Sequence, residues 1–403
     1  MRYFDLTSAM MAGTREDTQI PLLLLVGSTA SAIGLSISLV GALMPEICTD
    51  LGLGETQAGL AQSIFFLGHI AGILFAGRLL GRCSTSQLWM VATVSTALGV
   101  GICLSGGFLQ LLLGRTLAGF GLSLSVILVS SLLVSQAAER AGSLLSAFHA
   151  TVAASASLAL LLAPMLSSLS GSWRMTIGLA TILCLLPVVL CLLVPIPMVG
   201  THRTGETNHQ GSSLAAFLAL IFIVAAYVST KQIITVFMPL VLSNSESTTV
   251  AGQITALFWG GVIVGRVLGV LGGTAIPERT MLVAGGLTMT GSLILLAAAG
   301  SSWMIAGFAF LAGLGGGPLV PVGFAMAARW AKNPSTGVLA CQAACFLGGL
   351  FGPTTVGVSA NAVGLSSELL AIFGLAPAIG CLVFLISTLK FSVFVRLPQV
   401  SRS

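Results

Sequence analysis

Apolar runs long enough to cross a lipid bilayer recur along all 403 residues, and that recurrence constrains the fold before any motif is read. A helix needs about 20 apolar residues to span the hydrocarbon core. Breaks in the pattern delimit twelve segments, at 20–45, 57–80, 87–106, 108–134, 144–168 and 175–196, then 213–243, 250–271, 281–300, 303–328, 336–360 and 367–389. They are too long and unbroken for barrel strands, which alternate over about 9–11 residues. Composition agrees. Hydrophobic residues make up 56% and charged residues only 7%, with a mean hydropathy of +1.06. Soluble domains carry roughly a quarter charged residues. A soluble enzyme, a nucleic-acid-binding protein and a disordered scaffold are therefore excluded. The net charge of +5 does not reverse this, because the basic residues are scattered singly. The expected fold is an all-α membrane protein of twelve transmembrane helices.

Basic residues set the expected orientation, since they concentrate in cytoplasmic loops. With the N-terminus inside, Arg2, Arg15, Arg78, Arg82, Arg140, Arg203, Arg279, Arg329, Lys332, Lys390, Arg396 and Arg402 are cytoplasmic and Arg174 is outside. The outer loops then hold Glu46, Asp50, Glu55, Glu246 and Glu368. Both termini are expected in the cytoplasm, in a membrane of the bacterial inner type. Residues 1–19 lack a basic n-region and a small-residue cleavage site, so the first span is expected to be retained. Of the eight cysteines, Cys103, Cys184, Cys191, Cys341, Cys345 and Cys381 fall inside spans. Cys83 faces the reducing side and Cys48 has no outside partner, so all eight read as packing residues.

The chain repeats itself. The longest polar stretch between spans, 197–212, separates an N-terminal unit (1–196) from a C-terminal one (213–403). Ala58-Gly59 and Phe65-Phe66-Leu67-Gly68 align with Ala251-Gly252 and Phe258-Trp259-Gly260-Gly261 at an offset of 193, which also places Gly72 on Gly265. Leu117-Ala118-Gly119-Phe120-Gly121 meets Leu311-Ala312-Gly313-Leu314-Gly315 at 194, as Met44-Pro45 meets Met238-Pro239. Two duplicated six-span bundles point to a transporter with its site between them at mid-membrane.

Local patterns carry a resemblance. Gly77-Arg78-Leu79-Leu80-Gly81-Arg82 follows the second span, Arg115-x-x-x-Gly119-x-Gly121 lies in the fourth and Trp173-Arg174 opens the sixth. Phe258-Trp259 is followed by Gly265-Arg266 in the eighth. Together with the repeat, these resemble the major facilitator superfamily, the last pattern being similar to sugar-symporter-like members. The resemblance implies two pseudo-symmetric six-helix bundles and a gate formed by Gly77, Arg78, Arg82, Gly265 and Arg266. It also associates Arg115 with proton coupling. Gly81 occupies the acidic position of the family's G-x-L-x-D-R signature, which implies an altered gate. Gly348-x-x-x-Gly352-Pro353 resembles an antiporter motif, but in span eleven rather than span five. A Gly/Pro bend for close packing is the favoured reading, and the motif is weak evidence for efflux.

An ionisable residue at the centre of a span costs at least ~2.5 kcal/mol on insertion scales, so each one requires a reason. Arg115, Lys231, His69 and His149 lie within spans, and Arg266 lies near a span end. All eleven acids lie in termini, loops or span ends, which leaves no carboxylate for Arg115 or Lys231. An anionic substrate would supply the missing charge. Alternatively, Lys231 is neutral and structural, or it acts in gating. Tyr227 sits four residues before Lys231 on one helix face. The expected substrate-binding set is Arg115, Lys231, Tyr227 and Trp259. His69 and Arg115 are the expected proton-coupling residues, with packing as the alternative for each aromatic and histidine. Gln62, Gln253 and Gln342 are further polar candidates.

No metal-ligand cluster, nucleotide-binding motif or catalytic constellation is present in the sequence, so neither cofactor nor enzymatic activity is expected. The reading is a secondary active transporter of a small organic anion. It would work as a monomer in the bilayer by alternating access, coupled to protons or to exchange. The alternatives are an efflux exporter of a drug or a secreted metabolite such as a siderophore, and a non-transporting membrane sensor on the same scaffold. Neutral sugar transport stays open.

Overall fold

The computed structural model describes residues 16–80, 82–136, 141–197, 212–272, 276–331 and 334–395. These are almost entirely helical, and twelve stretches are long and apolar enough to cross a membrane. The first six are Ile20–Ala42, Glu55–Leu79, Thr85–Ser105, Phe108–Leu133, Ala147–Ser170 and Trp173–Leu193. The second six are Leu214–Leu242, Thr248–Leu271, Glu278–Ala297, Ser302–Trp330, Thr336–Val363 and Ser367–Leu389. Each falls on a segment expected from sequence. Helices of this kind satisfy their backbone polar groups internally, which the bilayer demands.

Local chemistry sets several ends. Ser84 Oγ accepts from Gln87 N at 3.2 Å and Gln87 Oε1 accepts from Ser84 N at 3.2 Å, a reciprocal cap that starts span three. Ser213 caps span seven by accepting from Ala216 N at 3.1 Å. Met44-Pro45 opens a separate short helix, Met44–Leu51, which stops at Gly52 in the left-handed region (φ 62°). The repeated Met238-Pro239 instead stays inside span seven. Span ten is interrupted, with Ser302–Gly316 and Leu319–Trp330 meeting at Gly317-Pro318. Span twelve begins as Ser367–Phe373 and resumes as Ala376–Val395.

The sequence repeat appears in the structure as a repeated seam. Spans two and four pack so closely that a Cβ at Gly68 would strike the Thr116 carbonyl, and one at Gly119 the Phe65 carbonyl. In the second half, Gly261 meets the Phe310 carbonyl and Gly313 meets the Phe258 carbonyl. Gly72 and Gly265 extend the match against the Phe120 and Leu314 carbonyls. Each position and its partner recur at the offset read from the sequence. Small residues allow backbones this close, and dispersion between them holds membrane helices together where lipid removes the hydrophobic drive.

The two halves join through spans two and eleven, five and eight, and one and seven. Gly59 rests against the Pro353 carbonyl, and its repeat mate Gly252 rests against the Leu160 carbonyl and Pro164. The cross-half joints are therefore also related by the repeat. Thr56 donates to the Gly357 carbonyl at 3.2 Å and accepts from Asn361 Nδ2 at 2.7 Å; Thr354 N donates to Ser63 Oγ at 3.1 Å. These contacts lie toward the face opposite the termini. A vestibule of about 900 Å³ indents that face, lined in part by Glu46, Asp50, Glu55, Arg174, Ser243 and Asn244.

Candidate functional site: a cationic cluster at mid-membrane

Five spans bring polar side chains together between the two halves, from mid-span at Lys231 and His69 to span ends at Arg266 and His149. Span seven carries Tyr227 and Lys231 one helical turn apart. Lys231 Nζ lies 5.1 Å from the centre of the Trp259 ring of span eight, a cation–π arrangement. The ring is held in place: Trp259 Nε1 donates to Thr235 Oγ1 at 3.1 Å, and Thr235 Oγ1 donates to the Lys231 carbonyl at 2.8 Å. Arg266, also on span eight, donates to the His149 carbonyl of span five at 3.1 Å. Lys231, Arg266 and His149 lie within electrostatic reach of one another, as do Lys231 and His69 of span two. Span eleven adds Cys345, also a close neighbour of Lys231, and Gln342, whose Nε2 is 3.2 Å from His69 Nε2. Phe346 packs edge-on against the His69 ring, with centroids 4.4 Å apart.

Hydrogen bonding in this cluster is incomplete. Tyr227 is fully buried, and its hydroxyl lies beside Arg266 without a hydrogen bond of good geometry. Gln342 Nε2 lies 3.2 Å from His69 Nε2, and the other ring nitrogen, Nδ1, is buried without a partner. Lys231 is half-buried and makes no ion pair among the described residues. Buried polar groups ordinarily find partners, so an unsatisfied set in one place points to a site that expects a ligand.

Arg115 is placed differently. It is 1% exposed, and its guanidinium donates to the Ser36 carbonyl, to the Ala61 carbonyl at 3.4 Å and to Gln62 Oε1 at 2.6 Å. The guanidinium also lies 4.4 Å from the centre of the Phe65 ring. Gln62 Nε2 in turn donates to Gln232 Oε1 at 2.8 Å, which connects Arg115 to the residue next to Lys231. The sequence grouped Arg115 and Lys231 as joint ligands. In the structure Arg115 is enclosed by protein acceptors, while Lys231 is joined by Arg266, which had been assigned to the gate.

Comparison with known proteins fits this geometry. The pattern describing the Major Facilitator Superfamily matches residues 26–271, more than half of the chain. The chain belongs to the Major Facilitator Superfamily. Among curated relatives, an uncharacterized MFS-type transporter, YcaD, of Salmonella heidelberg (strain SL476) is 28% identical over 188 residues, covering 46% of this chain and 47% of that protein. The Salmonella arizonae counterpart is 30% identical over 116 residues, 28% of this chain and 30% of its own length. The chain thus spans about half or less of the curated relatives it matches. Solved structures share the fold. A D-xylose–proton symporter superposes with a TM-score of 0.73 at 15% identity, covering 92% of this chain and 98% of that one. A bacterial homolog of the human lysosomal transporter Spinster, inward-facing and unoccupied, gives 0.65 at 16% identity, covering 95% and 98%. Nucleoside transporter NupG gives 0.71 at 10% identity, covering 91% and 99%.

The superfamily's loop motif after span two is largely solvent-facing here. Gly77, Arg78 and Arg82 are exposed, and Arg78 donates to the Leu74 carbonyl of its own helix at 3.4 Å. Gly81 lies outside the described residues, as do most of the linker 197–212 and the terminal arginines. Gly265 belongs to the span-eight seam. In span eleven, Gly348 and Gly352 lie against the Ala225 carbonyl and Ser229 of span seven, so the antiporter-like stretch is occupied as a packing surface. Gln253 is exposed and Thr230 is bonded to the Ala226 carbonyl at 2.9 Å.

On the far face, Asp50 pairs with Arg174 at 2.6 Å and accepts from Trp173 Nε1 at 3.2 Å. Those bonds, Arg174 first, hold the Asp50 carboxyl below its ordinary range. Burial pushes the Glu46 carboxyl up, against hydrogen bonds from its own backbone and Thr248, and leaves Oε2 without a partner. Burial, with Glu55 nearby, pushes the Cys48 thiol to about 12. Glu46 and Cys48 carried no signal in the sequence beyond their loop position.

Proposed function

We propose that this protein is a secondary transporter that carries a small organic anion across the membrane by alternating access. The observation that carries this reading is the proximity of Lys231 and Arg266 within the spans of a chain whose eleven acids all lie in termini, loops or span ends. In a low-dielectric interior such cations attract an anion strongly, and a charge-assisted hydrogen bond to it is about twice as strong as a neutral one. Lys231 and Arg266 bind the anion, Tyr227 and Trp259 orient it, and Arg115 positions the site through Gln62 and Gln232. His69 is the proton-relay candidate. The two halves, 1–196 and 213–403, rock about this site.

The exposed His149 and half-buried Lys231 support a cleft that opens toward the termini, with spans two and eleven closed above it. With the termini cytoplasmic, as the basic residues indicate, this is an inward-facing arrangement in a bacterial-type inner membrane, and one copy is sufficient for the cycle. Proton or exchange coupling would drive it. Efflux has less support, since its span-eleven motif serves as a packing surface.

Purified protein reconstituted in liposomes tests the proposal. Counterflow of a labelled organic anion should occur with the wild type and vanish with a folded Lys231→Ala protein. Undiminished counterflow in that variant would sink the reading. A protein that binds the anion but shows no counterflow would instead be a sensor.

A further inference from the structure

The proposed anion site contains two cations, and their number carries information about the cargo. Lys231 and Arg266 lie on adjacent spans within electrostatic reach of each other, and every acid of the sequence lies in a terminus, a loop or a span end. A monoanion would leave one of them uncompensated in a low-dielectric setting, where an unpaired charge is costly. Donors also outnumber what one carboxylate can accept. The Lys231 ammonium has three N–H groups, and Arg266 has four left after its bond to His149. The Tyr227 hydroxyl and His69 Nδ1 are both more than nine-tenths buried and unpartnered. The donors come from both halves, with His69 on span two opposite Tyr227, Lys231 and Arg266 on spans seven and eight. Apolar rings flank them: Trp259 beneath Lys231 and Phe346 against His69.

We infer that the cargo is an organic dianion with an apolar body, either a dicarboxylate or a phosphate monoester. One acidic group sits between Lys231 and Arg266 with Tyr227, and the second acceptor reaches His69 across the cleft. Two fixed cations, donors on both sides and aromatic walls all favour such a molecule over a monocarboxylate or a neutral polyol. The same arrangement explains why Lys231 and Arg266 tolerate each other: the doubly charged ligand neutralises both.

This inference rests on the anion-transport reading, and the test separates the two. Binding of phthalate, its monomethyl ester, phenyl phosphate and benzyl alcohol to purified full-length protein in detergent is measured by tryptophan fluorescence and by thermal unfolding. Phthalate or phenyl phosphate should bind at least about tenfold more tightly than the monomethyl ester, a difference of about 1.4 kcal/mol. In Lys231→Gln and Arg266→Gln, each checked for wild-type helicity by circular dichroism, that ratio should fall to about one. Equal binding of the diacid and its monoester to the wild type overturns the dianion while leaving the anion reading intact. Binding of benzyl alcohol alone, or of none of the four, overturns both. Conservative Arg266→Lys and Lys231→Arg variants should retain the preference, and its loss in either would show that packing rather than charge sets the ratio.

Discussion

The two halves share one backbone arrangement and use it for opposite treatments of a cation within a span. The Gly68–Thr116 and Gly119–Phe65 contacts in the first half recur as Gly261–Phe310 and Gly313–Phe258 in the second. The chemistry on that frame differs. Arg115 takes its offset-194 partner at Ala309, and Lys231 corresponds to Ile37. Arg115 is surrounded by protein acceptors and an aromatic face, whereas Lys231 and Arg266 make no ion pair among the described residues. The packing is shared by the two halves, and on the proposed function one half supports the site while the other reads charge. A buried cation alone therefore does not identify a ligand site; the state of its partners does.

The largest expected effect comes from removing the two cations separately. Arg115→Met deprives two carbonyls and the Gln62 side chain of their donor, at about 1–3 kcal/mol for each group left unpaired. Its thermal midpoint should fall steeply, with poor yield of folded protein. Lys231→Met removes a charge that the protein does not compensate, so its midpoint should be unchanged or raised. Thermal unfolding of both proteins in detergent without ligand decides the matter. Equal losses would remove the distinction between support and site.

A smaller effect sharpens the shared frame. Gly68→Val and Gly261→Val each place a branched side chain against a carbonyl of the neighbouring helix, at Thr116 and Phe310. Overpacking of this kind costs about 1–3 kcal/mol. The two variants should lose stability to a similar degree. A severe loss at one and none at the other would mean that the halves do not share the seam equally.

The smallest effect concerns two carboxyls of the far vestibule. The Asp50 carboxyl is held low by Arg174 and Trp173, so its contribution is present above the usual carboxylate range and is lost as pH falls through the lowered value. The Glu46 carboxyl is pushed up by burial, so its contribution has the opposite sign and fades as pH rises through the raised value. Unfolding midpoints followed across acidic to neutral pH should therefore shift in opposite directions for Asp50→Asn and Glu46→Gln relative to wild type. Parallel shifts would contradict the assignment. Asp50 is exposed, and screening keeps its share small.

Much of the fold was legible in the sequence because lipid imposes length and apolarity on every span. The twelve segments and the repeat offset followed from that, and the glycines that define the offset are the ones that touch. The interruption of span ten at Gly317-Pro318 was less legible, since hydropathy does not register a break in a helix that stays apolar. The site was legible in part. Lys231, Tyr227, Trp259 and His69, all named from sequence, lie close together in the structure. Arg266 enters the gate set through the resemblance carried by Gly265-Arg266, and its bond to the His149 carbonyl of span five needs the packing of span eight on span five to be seen. Arg115 was grouped with Lys231 because sequence shows a charge but not the carbonyls around it. Cys345 and Gln232 gave no signal, since a thiol or an amide in a span is ordinary until its neighbours are known.

The break in span ten has a consequence for how the cargo preference would change. Gly316 faces the Tyr227 ring, and Gly317 lies against the Val262 carbonyl and the Arg266 backbone. These glycines form the mould behind the binding surface, out of reach of any ligand. A single methyl group added there would press on the Tyr227 ring and the Arg266 backbone while leaving every charge in place. On the proposed function, size and charge preference would thus be set in separate layers of the molecule. A lineage adapting to a bulkier or slimmer cargo could alter the mould first and leave the charged residues in place.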